Sequence, residues 1–262
     1  MKKFLLTAIV LLCVTCAGCF QGNSTLVITD DGKVFLRNKF IGVPLLAEQI
    51  ESFKENFARN PNAEISPVAE NNMSGFEVRV NYPSVESFAA EKFSLFAAHD
   101  GKCAGIRQRK GWFFDAYNFD LISSGEQSFS PSEAAAIQSM LSQITFDLTI
   151  ELPYAAESHN ADKFDAAQKV LTWNLAPSLL SGTDKHMRAE FKLWHRDKIF
   201  LTALVEILLL AATIFFTVKT RAEESDSLKT DLKFKRNVFA CLFVALLIIS
   251  AYMLLTPVTF AP

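Results

Sequence analysis

Short stretches in which apolar and polar residues alternate predict the strands of this chain. Alternation with a period of two is typical of a half-buried strand, because successive side chains point to opposite faces. It is clearest in residues 75–82 and 144–152, and the sequence Asp30-Asp31-Gly32 predicts a tight turn between two further strands. The predicted strands are residues 26–29, 33–41, 63–68, 75–82, 102–108, 111–120, 144–152, 170–175 and 187–193.

Apolar residues at helical spacing predict helices between some of these strands. One helix begins at Pro44, a second follows Ser84 as its cap, and a third begins at Ser130 with a capping sequence. The order helix, strand, strand occurs twice between residues 44 and 120. We therefore predict an α+β fold for residues 19–197, in which helices cover one face of an antiparallel sheet.

Two long apolar segments near the end of the chain predict a transmembrane hairpin. Residues 198–218 and 237–257 are each long enough to cross a hydrocarbon core of about 30 Å. The segment between them, residues 219–236, carries six Lys and Arg against four Asp and Glu, whereas residues 258–262 have no basic residue. The positive-inside rule therefore predicts a cytoplasmic loop and a short outer tail.

The first 18 residues predict an export signal of the lipoprotein type. Two lysines precede a short apolar run, and the small pair Ala17-Gly18 is followed by Cys19, the arrangement at which bacterial lipoproteins are cleaved and acylated. Cys16 stands where leucine is commonest, and an ordinary signal peptide or an uncleaved anchor are the alternatives. We predict a mature protein that begins at lipid-modified Cys19, on the outer face of the bacterial cytoplasmic membrane.

Charge and cysteine content narrow the possible roles of the exported domain. Residues 20–197 contain 17 Lys and Arg against 23 Asp and Glu, which argues against a nucleic-acid partner. Cys103 is the one cysteine in this region outside the signal and the spans, so an internal disulfide is excluded there. The 24 phenylalanines of the chain fit either a Phe-rich core with apolar spans or an aromatic-lined pocket.

The sequence contains no motif that indicates catalysis. The four histidines are scattered, and none has a cysteine or carboxylate partner at the spacing of a metal site. A phosphate-binding glycine loop and a nucleophile elbow are also missing from the sequence. We therefore expect a protein that is not an enzyme, with no metal and no cofactor other than the covalent lipid on Cys19.

One cluster of cations and aromatic residues is a candidate ligand contact. Arg107, Arg109 and Lys110 lie beside Trp112 and its two phenylalanine neighbours. The cations suit an anionic headgroup, and the aromatic rings suit acyl chains or sugar rings. The alternative is an ordinary hairpin turn, with its charges in water and its aromatic rings in the core.

Glu206 is the ionisable residue deepest inside the predicted spans, where a charge is costly. Ser250 lies at a comparable depth on the second span, because the two spans run in opposite directions. We therefore expect a largely protonated Glu206 that forms a hydrogen bond with Ser250. A structural contact of this kind, or a contact with a partner subunit, is the alternative to a functional proton or docking site.

The last third of the exported domain resembles a bacterial envelope family. The similar parts are Leu152-Pro153 after a strand, His159-Asn160-Ala161, Thr172-Trp173-Asn174-Leu175, and the final strand that runs into a spanning helix. With the signal at the other end, this arrangement is similar to the LppM family of membrane-attached lipoproteins. The resemblance implies a partly BON-like α+β fold that binds envelope lipids or glycolipids. This chain departs from that pattern in having two spans instead of one.

Two functions follow as expectations. The first is a module that binds membrane lipids or glycolipids close to the bilayer surface. The second is a non-catalytic assembly subunit of an envelope complex, which docks on another membrane protein through the hairpin. The first predicts a cavity near the charged turn, and the second predicts a packed domain without one.

Overall fold

The structure is a computed structural model, and it describes residues 20–58, 60–90, 105–123, 144–181, 184–256 and 260. The predicted signal peptide with Cys19, the residue Cys103 and the predicted helix that begins at Ser130 lie outside the described residues. The described chain forms two compact units. The first contains residues up to 108 together with 117–193, and the second contains residues 109–116 together with those from 194 onward.

The predicted α+β class is confirmed, with strands arranged in two sheets. In chain order the strands are β1 (Phe20–Ile28), β2 (Val34–Gly42), β3 (Ala63–Glu70), β4 (Met73–Tyr82), β5 (Ile106–Lys110), β6 (Phe114–Ser123), β7 (Ile144–Glu151), β8 (Ser158–His159), β9 (Lys163–Phe164), β10 (Val170–Asn174) and β11 (Lys185–Trp194). The larger sheet has the order β3-β4-β2-β1-β7-β10-β9, and the smaller has the order β5-β6-β11-β8.

The helices are short in the first unit and long at the end of the chain. A 3₁₀ turn (Pro44–Leu46) leads into α1, and Ser84 caps α2 through a reciprocal pair of hydrogen bonds with Ser87, as a capping box does. The helices are α1 (Ala47–Ala58), α2 (Val85–Ala89), α3 (Ala176–Ser181), α4 (Arg196–Ala222) and α5 (Asp226–Leu255).

The single antiparallel sheet that the alternation predicts is corrected in two ways. The strands divide between two sheets, so that the two predicted helix–strand–strand units contribute to different ones. In addition, β1 pairs with β7 in parallel, with Leu26 opposite Ile150. Alternation shows which face of a strand is buried, but it carries no information about which strand lies beside it.

The turn between β1 and β2 follows from its sequence. Gly32 has a φ of 81°, which a glycine adopts without steric cost. Hydrogen bonds from Lys33 and from Thr29 lower the pKa of the exposed Asp31 carboxyl to about 2. The predicted hairpin is therefore present, and it is closed by Asp31 at neutral pH.

Most of the phenylalanines described in the first unit pack in its core. The Phe40 ring lies at the centre of a cluster, 5.4 Å from Phe76 and 5.7 Å from Phe57 between ring centroids. The rings of Phe20 and Phe146 lie within about 6.5 Å of it on another side, at 6.4 and 6.2 Å. The abundance of phenylalanine in this unit is therefore explained by packing, and no cavity for a ligand is needed to account for it.

Asn160 joins the two sheets of the first unit. Its side-chain oxygen accepts hydrogen bonds from Trp173 Nε1 in β10 (3.0 Å) and from the backbone nitrogen of Arg188 in β11 (2.7 Å). Its Nδ2 atom donates to the carbonyl oxygen of His186 (2.9 Å). An asparagine followed by Ala161 and Asp162 is typical of a turn, in which the amide bonds to its own segment. Here the amide of Asn160 bonds to distant strands instead.

The two C-terminal helices are long and apolar enough to cross a membrane. Both extend beyond the predicted spans, so that only residues 223–225 lie outside helix in the predicted loop 219–236. Lys, Arg and Glu are good helix formers, and a hydropathy pattern marks only the part of a helix that suits lipid. The stacked rings of Phe216 and Phe239, 5.5 Å apart, hold the helices together near this loop.

Replacing Asn160 by alanine is expected to lower the free energy of unfolding of the first unit by about 2 kcal/mol, because the indole nitrogen of the fully buried Trp173 loses its acceptor. Denaturant unfolding of the full-length protein in detergent, followed by tryptophan fluorescence, measures this change. The matched control is Asn81→Ala on the exposed face of β4, for which a change below about 0.5 kcal/mol is expected. Equal effects of the two substitutions would contradict the role given to Asn160.

Candidate functional site

The candidate site lies in the second unit, where the turn between β5 and β6 meets the two long helices. Phe113, Phe114 and Ala116 of this segment are buried against Trp194 and Ile199. The ring centroids of Phe114 and Trp194 are 5.0 Å apart in an edge-to-face arrangement. The turn is thus anchored by apolar contacts to the start of α4.

Gly111 allows the turn to be tight. A Cβ atom at this position would lie 2.5 Å from the carbonyl oxygen of Phe114, which is closer than real Cβ atoms approach. The Gly111 nitrogen donates a hydrogen bond to Asp115 Oδ1 at 3.2 Å. A glycine at this position therefore brings the cations before the turn and the aromatic residues after it onto one compact loop.

His195 connects this turn to the helix. It is the single residue between β11 and α4, and its backbone nitrogen donates to the carbonyl oxygen of Phe113 at 2.8 Å. In the imidazole ring, Nδ1 lies 3.1 Å from the carbonyl oxygen of Trp112, and Nε2 lies 3.6 Å from Asp115 Oδ2. One residue thus contacts the turn at three points.

Trp112 is half-exposed (51%) and is held in place by α4. Its Nε1 atom donates a hydrogen bond to Thr202 Oγ1 at 3.3 Å. The Lys198 Nζ atom lies over the ring, 5.5 Å from its centroid and within the range of a cation–π interaction. The same ammonium group lies 3.1 Å from His195 Nδ1. The indole is therefore fixed at its edge and on one face.

A cavity of about 360 Å³ opens beside the turn. Its lining combines two cations with two hydroxyl groups near the end of α5 and with apolar and aromatic groups between them. The lining residues are Arg109, Lys110, Gly111, Trp112, Phe113, Phe114, Tyr252, Met253 and Thr256.

A second cavity, of about 350 Å³, lies between α4, α5 and Trp112. It shares Trp112, Phe113 and Met253 with the first cavity, but its lining is almost wholly apolar. The remaining lining residues are Leu201, Thr202, Val205, Leu246, Ile249 and Ser250.

The hydrogen bond between the helices that the sequence predicts is present next to this apolar cavity. Ser250 Oγ donates to Glu206 Oε1 at 3.0 Å. Within the described part of the chain, Ser250 is the hydrogen-bond partner of this carboxyl group. The bond links the first turns of α4 to the last turns of α5, so it fixes the helices at the end of the hairpin where the cavities lie.

The structure brings together three of the four predicted contact residues. Arg109, Lys110 and Trp112 line one cavity, whereas Arg107 belongs to the first unit and lines neither of the two. The alternative was an ordinary hairpin turn with its aromatic rings in the core. The structure agrees with this in part, because Phe113 and Phe114 are buried. The predicted contact with ligand itself stays a prediction.

Sequence reasoning missed three residues that build this site. These residues are His195, Lys198 and Thr202. The sequence offers His195 no partner at the spacing of a metal or catalytic site, and Lys198 and Thr202 belong to no motif. Their spacing from His195 is three and seven residues, which places all three on one face at the start of a helix. A polar stripe at the beginning of the first apolar segment is the feature of the sequence from which these residues could have been identified.

The site combines charged, hydroxyl, aromatic and alkyl groups. Cations, hydroxyl groups and aromatic rings surround the first cavity, and alkyl side chains surround the second. Among the described residues there is no group of three His, Cys, Asp or Glu side chains that could hold a metal ion. The arrangement suits a molecule with one anionic end and one apolar end.

No family model matches the chain, and no curated protein matches its sequence. The structure is similar to the folded domain of LppM from Mycobacterium tuberculosis, determined by NMR, with a TM-score of 0.43 and 13% sequence identity. The similarity covers 70% of this chain and 94% of the mycobacterial domain. The likeness is distant, and membership of the LppM family stays a prediction.

Replacing His195 by alanine is expected to loosen the turn, because the contacts of the imidazole with Trp112 and Asp115 are lost. The Gly111 amide should then exchange with deuterium about tenfold faster, since one or two modest hydrogen bonds are removed. Hydrogen–deuterium exchange of the full-length protein in detergent measures this rate. His186→Ala, which removes a half-exposed histidine from β11, is the control and should leave the rate unchanged. An unchanged rate in His195→Ala would show that the side chain does not hold the turn.

Proposed function

We propose that this protein is a membrane-anchored envelope lipoprotein that binds an anionic lipid or glycolipid at the outer face of the cytoplasmic membrane, and that it has no catalytic activity. One observation carries the proposal. A cavity lined by cations and a cavity lined by alkyl groups share three residues, so that one amphiphilic molecule can occupy both.

The charge of the first cavity supports an anionic headgroup. Arg109 and Lys110 line it, and Lys198 lies over the Trp112 ring that separates it from the second cavity. Arginine pairs with phosphate or carboxylate groups through two parallel hydrogen bonds, and lysine adds a point charge. Tyr252 and Thr256 offer hydroxyl groups that suit the sugar of a glycolipid or the glycerol of a phospholipid.

The size and lining of the second cavity support an acyl chain. Its volume of about 350 Å³ lies at the lower end of the range of about 300–1,000 Å³ for small-molecule sites. Its lining includes the alkyl side chains of Leu201, Val205, Leu246 and Ile249. Contact between these side chains and an acyl chain is favourable, because it removes apolar surface from water. This volume suits one chain better than a whole two-chain lipid.

The predicted topology supports the location of the site. Positive charges concentrate between the two helices and favour the cytoplasm for that segment. The opposite end of the hairpin, where the cavities lie, would then be at the outer leaflet. Tyr252 and Trp112 fit that level, because such residues are enriched at membrane–water interfaces.

The assembly subunit docked through the hairpin is the second candidate. In the sequence, Glu206 is the residue on which another membrane protein would dock, because a carboxyl group inside a membrane needs a hydrogen-bond partner. Ser250 of the same chain already donates a hydrogen bond to it. A partner protein is therefore not needed to satisfy Glu206, and we rank this candidate second.

Removing two charges from the first cavity is expected to weaken lipid retention. In Arg109→Gln/Lys110→Gln, the amount of anionic lipid that co-purifies with the full-length protein in mild detergent should fall at least fivefold, since each charged hydrogen bond contributes about 1.5–3 kcal/mol. Lipid extraction and mass spectrometry measure the ratio of lipid to protein.

The control for this experiment is Lys54→Gln/Lys169→Gln, which removes two positive charges from the first unit, one at a half-buried and one at an exposed position. We expect it to retain the lipid of the unsubstituted protein. If both double variants retain the same lipid, the cations of the turn do not bind it. If the unsubstituted protein carries no lipid, and if crosslinking in membranes captures a defined partner, the second candidate is favoured.

Cys19 is proposed as the site of lipid modification. Cys19→Ser should abolish incorporation of an alkyne-labelled fatty acid into the protein, because acylation needs the thiol. The variant should nevertheless remain in the membrane fraction, since two helices long enough to span the bilayer hold it there. Release of the variant into the soluble fraction would contradict the role given to the helices, and continued labelling would contradict acylation at Cys19.

A further inference from the structure

We propose that the chain of the bound amphiphile carries a hydroxyl group, and that Ser250 recognises it inside the apolar cavity. This inference rests on the proposed function, since it names the chemistry of the ligand at the same site. It comes from the hydrogen-bonding capacity of the few polar side chains that line a cavity otherwise built from alkyl and aromatic groups.

Three side chains of the apolar cavity carry a hydrogen-bonding group. Trp112 Nε1 uses its one proton on Thr202 Oγ1, at 3.3 Å. The Thr202 hydroxyl accepts that bond and donates its own proton to the carbonyl oxygen of Lys198, at 2.8 Å. The protons of both groups are therefore used within the protein, and one of the two lone pairs of Thr202 Oγ1 is also used.

Ser250 differs from the other two. Its hydroxyl donates to Glu206 Oε1, and the described residues supply it with no donor in return. A hydroxyl oxygen has two lone pairs, so Ser250 retains acceptor capacity in surroundings that offer it nothing else. An unmatched polar group among apolar neighbours is unfavourable, and most groups of this kind in proteins have a partner.

A hydroxyl on the ligand is the group that matches Ser250. It can donate to Ser250 Oγ while Ser250 donates to Glu206. If the Glu206 carboxyl group carries a proton of its own, it can donate to Ser250, and Ser250 can then donate its hydroxyl proton to the ligand hydroxyl. A ligand ammonium group would satisfy only the first arrangement, because it has no acceptor, and it would also add the charge that an apolar cavity disfavours.

The position of Ser250 fixes where along the chain this hydroxyl should lie. Thr256 lines the headgroup cavity, and Ser250 precedes it on α5 by six residues, or about 9 Å at 1.5 Å per residue. Met253, halfway between them, lines both cavities. A hydroxyl about 9 Å deeper along the helix than Thr256 lies in the middle part of a long acyl chain.

Stearate and 10-hydroxystearate are suitable probes, because they share one carboxylate and one chain and differ in a mid-chain hydroxyl. Their affinities for the full-length protein, stripped of bound lipid and reconstituted in nanodiscs, are compared by equilibrium binding of labelled fatty acid. We expect 10-hydroxystearate to bind about fivefold more tightly, the effect of one modest hydrogen bond.

Ser250→Ala should abolish this preference, so that its affinities for the two fatty acids become equal, whereas Ser250→Thr, which keeps a hydroxyl group, should retain it. An unchanged helical circular-dichroism spectrum shows that each variant is folded. The matched control is Ser227→Ala, at an exposed position at the other end of α5, which should keep the preference.

Equal affinities of the unsubstituted protein for the two fatty acids, or a preference that survives in Ser250→Ala, would overturn the inference and leave the proposed function standing. If neither fatty acid binds to the unsubstituted protein, the proposed function fails and this inference fails with it.

Discussion

The site depends on the contact between His195 and the turn that precedes β6. A single residue separates the last strand from α4, and its backbone and ring contact Trp112, Phe113 and Asp115. Trp112 is thereby brought beside Thr202 and becomes a shared wall of both cavities. Without that attachment, the cations of the turn and the apolar groove between the helices would be unrelated features of the chain.

The class of fold could be predicted from the sequence because buried apolar residues recur with the period of the strand or helix that contains them. The strand at 144–152 and the cap at Ser84 were predicted from local patterns, and both are present. The parallel pairing of β1 with β7 and the bridging amide of Asn160 were not predicted. Both depend on residues far apart in the chain, and no local period encodes which distant segments meet.

The site was predictable in part, for a comparable reason. Arg109, Lys110 and Trp112 stand out because unlike residue types are crowded into a few positions. Glu206 and Ser250 could be paired because two antiparallel helices of known rise set their depths. His195 escaped notice, since its role arises from the strand end and helix start that it joins, and a single histidine has no motif. The sequence predicted a charged turn, and the structure adds the apolar cavity beside it.

The central claim is that one amphiphile occupies both cavities, with its chain between α4 and α5. Photolabelling of the full-length protein in nanodiscs, with an anionic lipid that carries a diazirine in the middle of its chain, tests this most directly. We expect the label to concentrate on residues 201–206 and 246–253, and an excess of unlabelled anionic lipid to compete it away. Labelling spread evenly along both helices and unaffected by competition would contradict it.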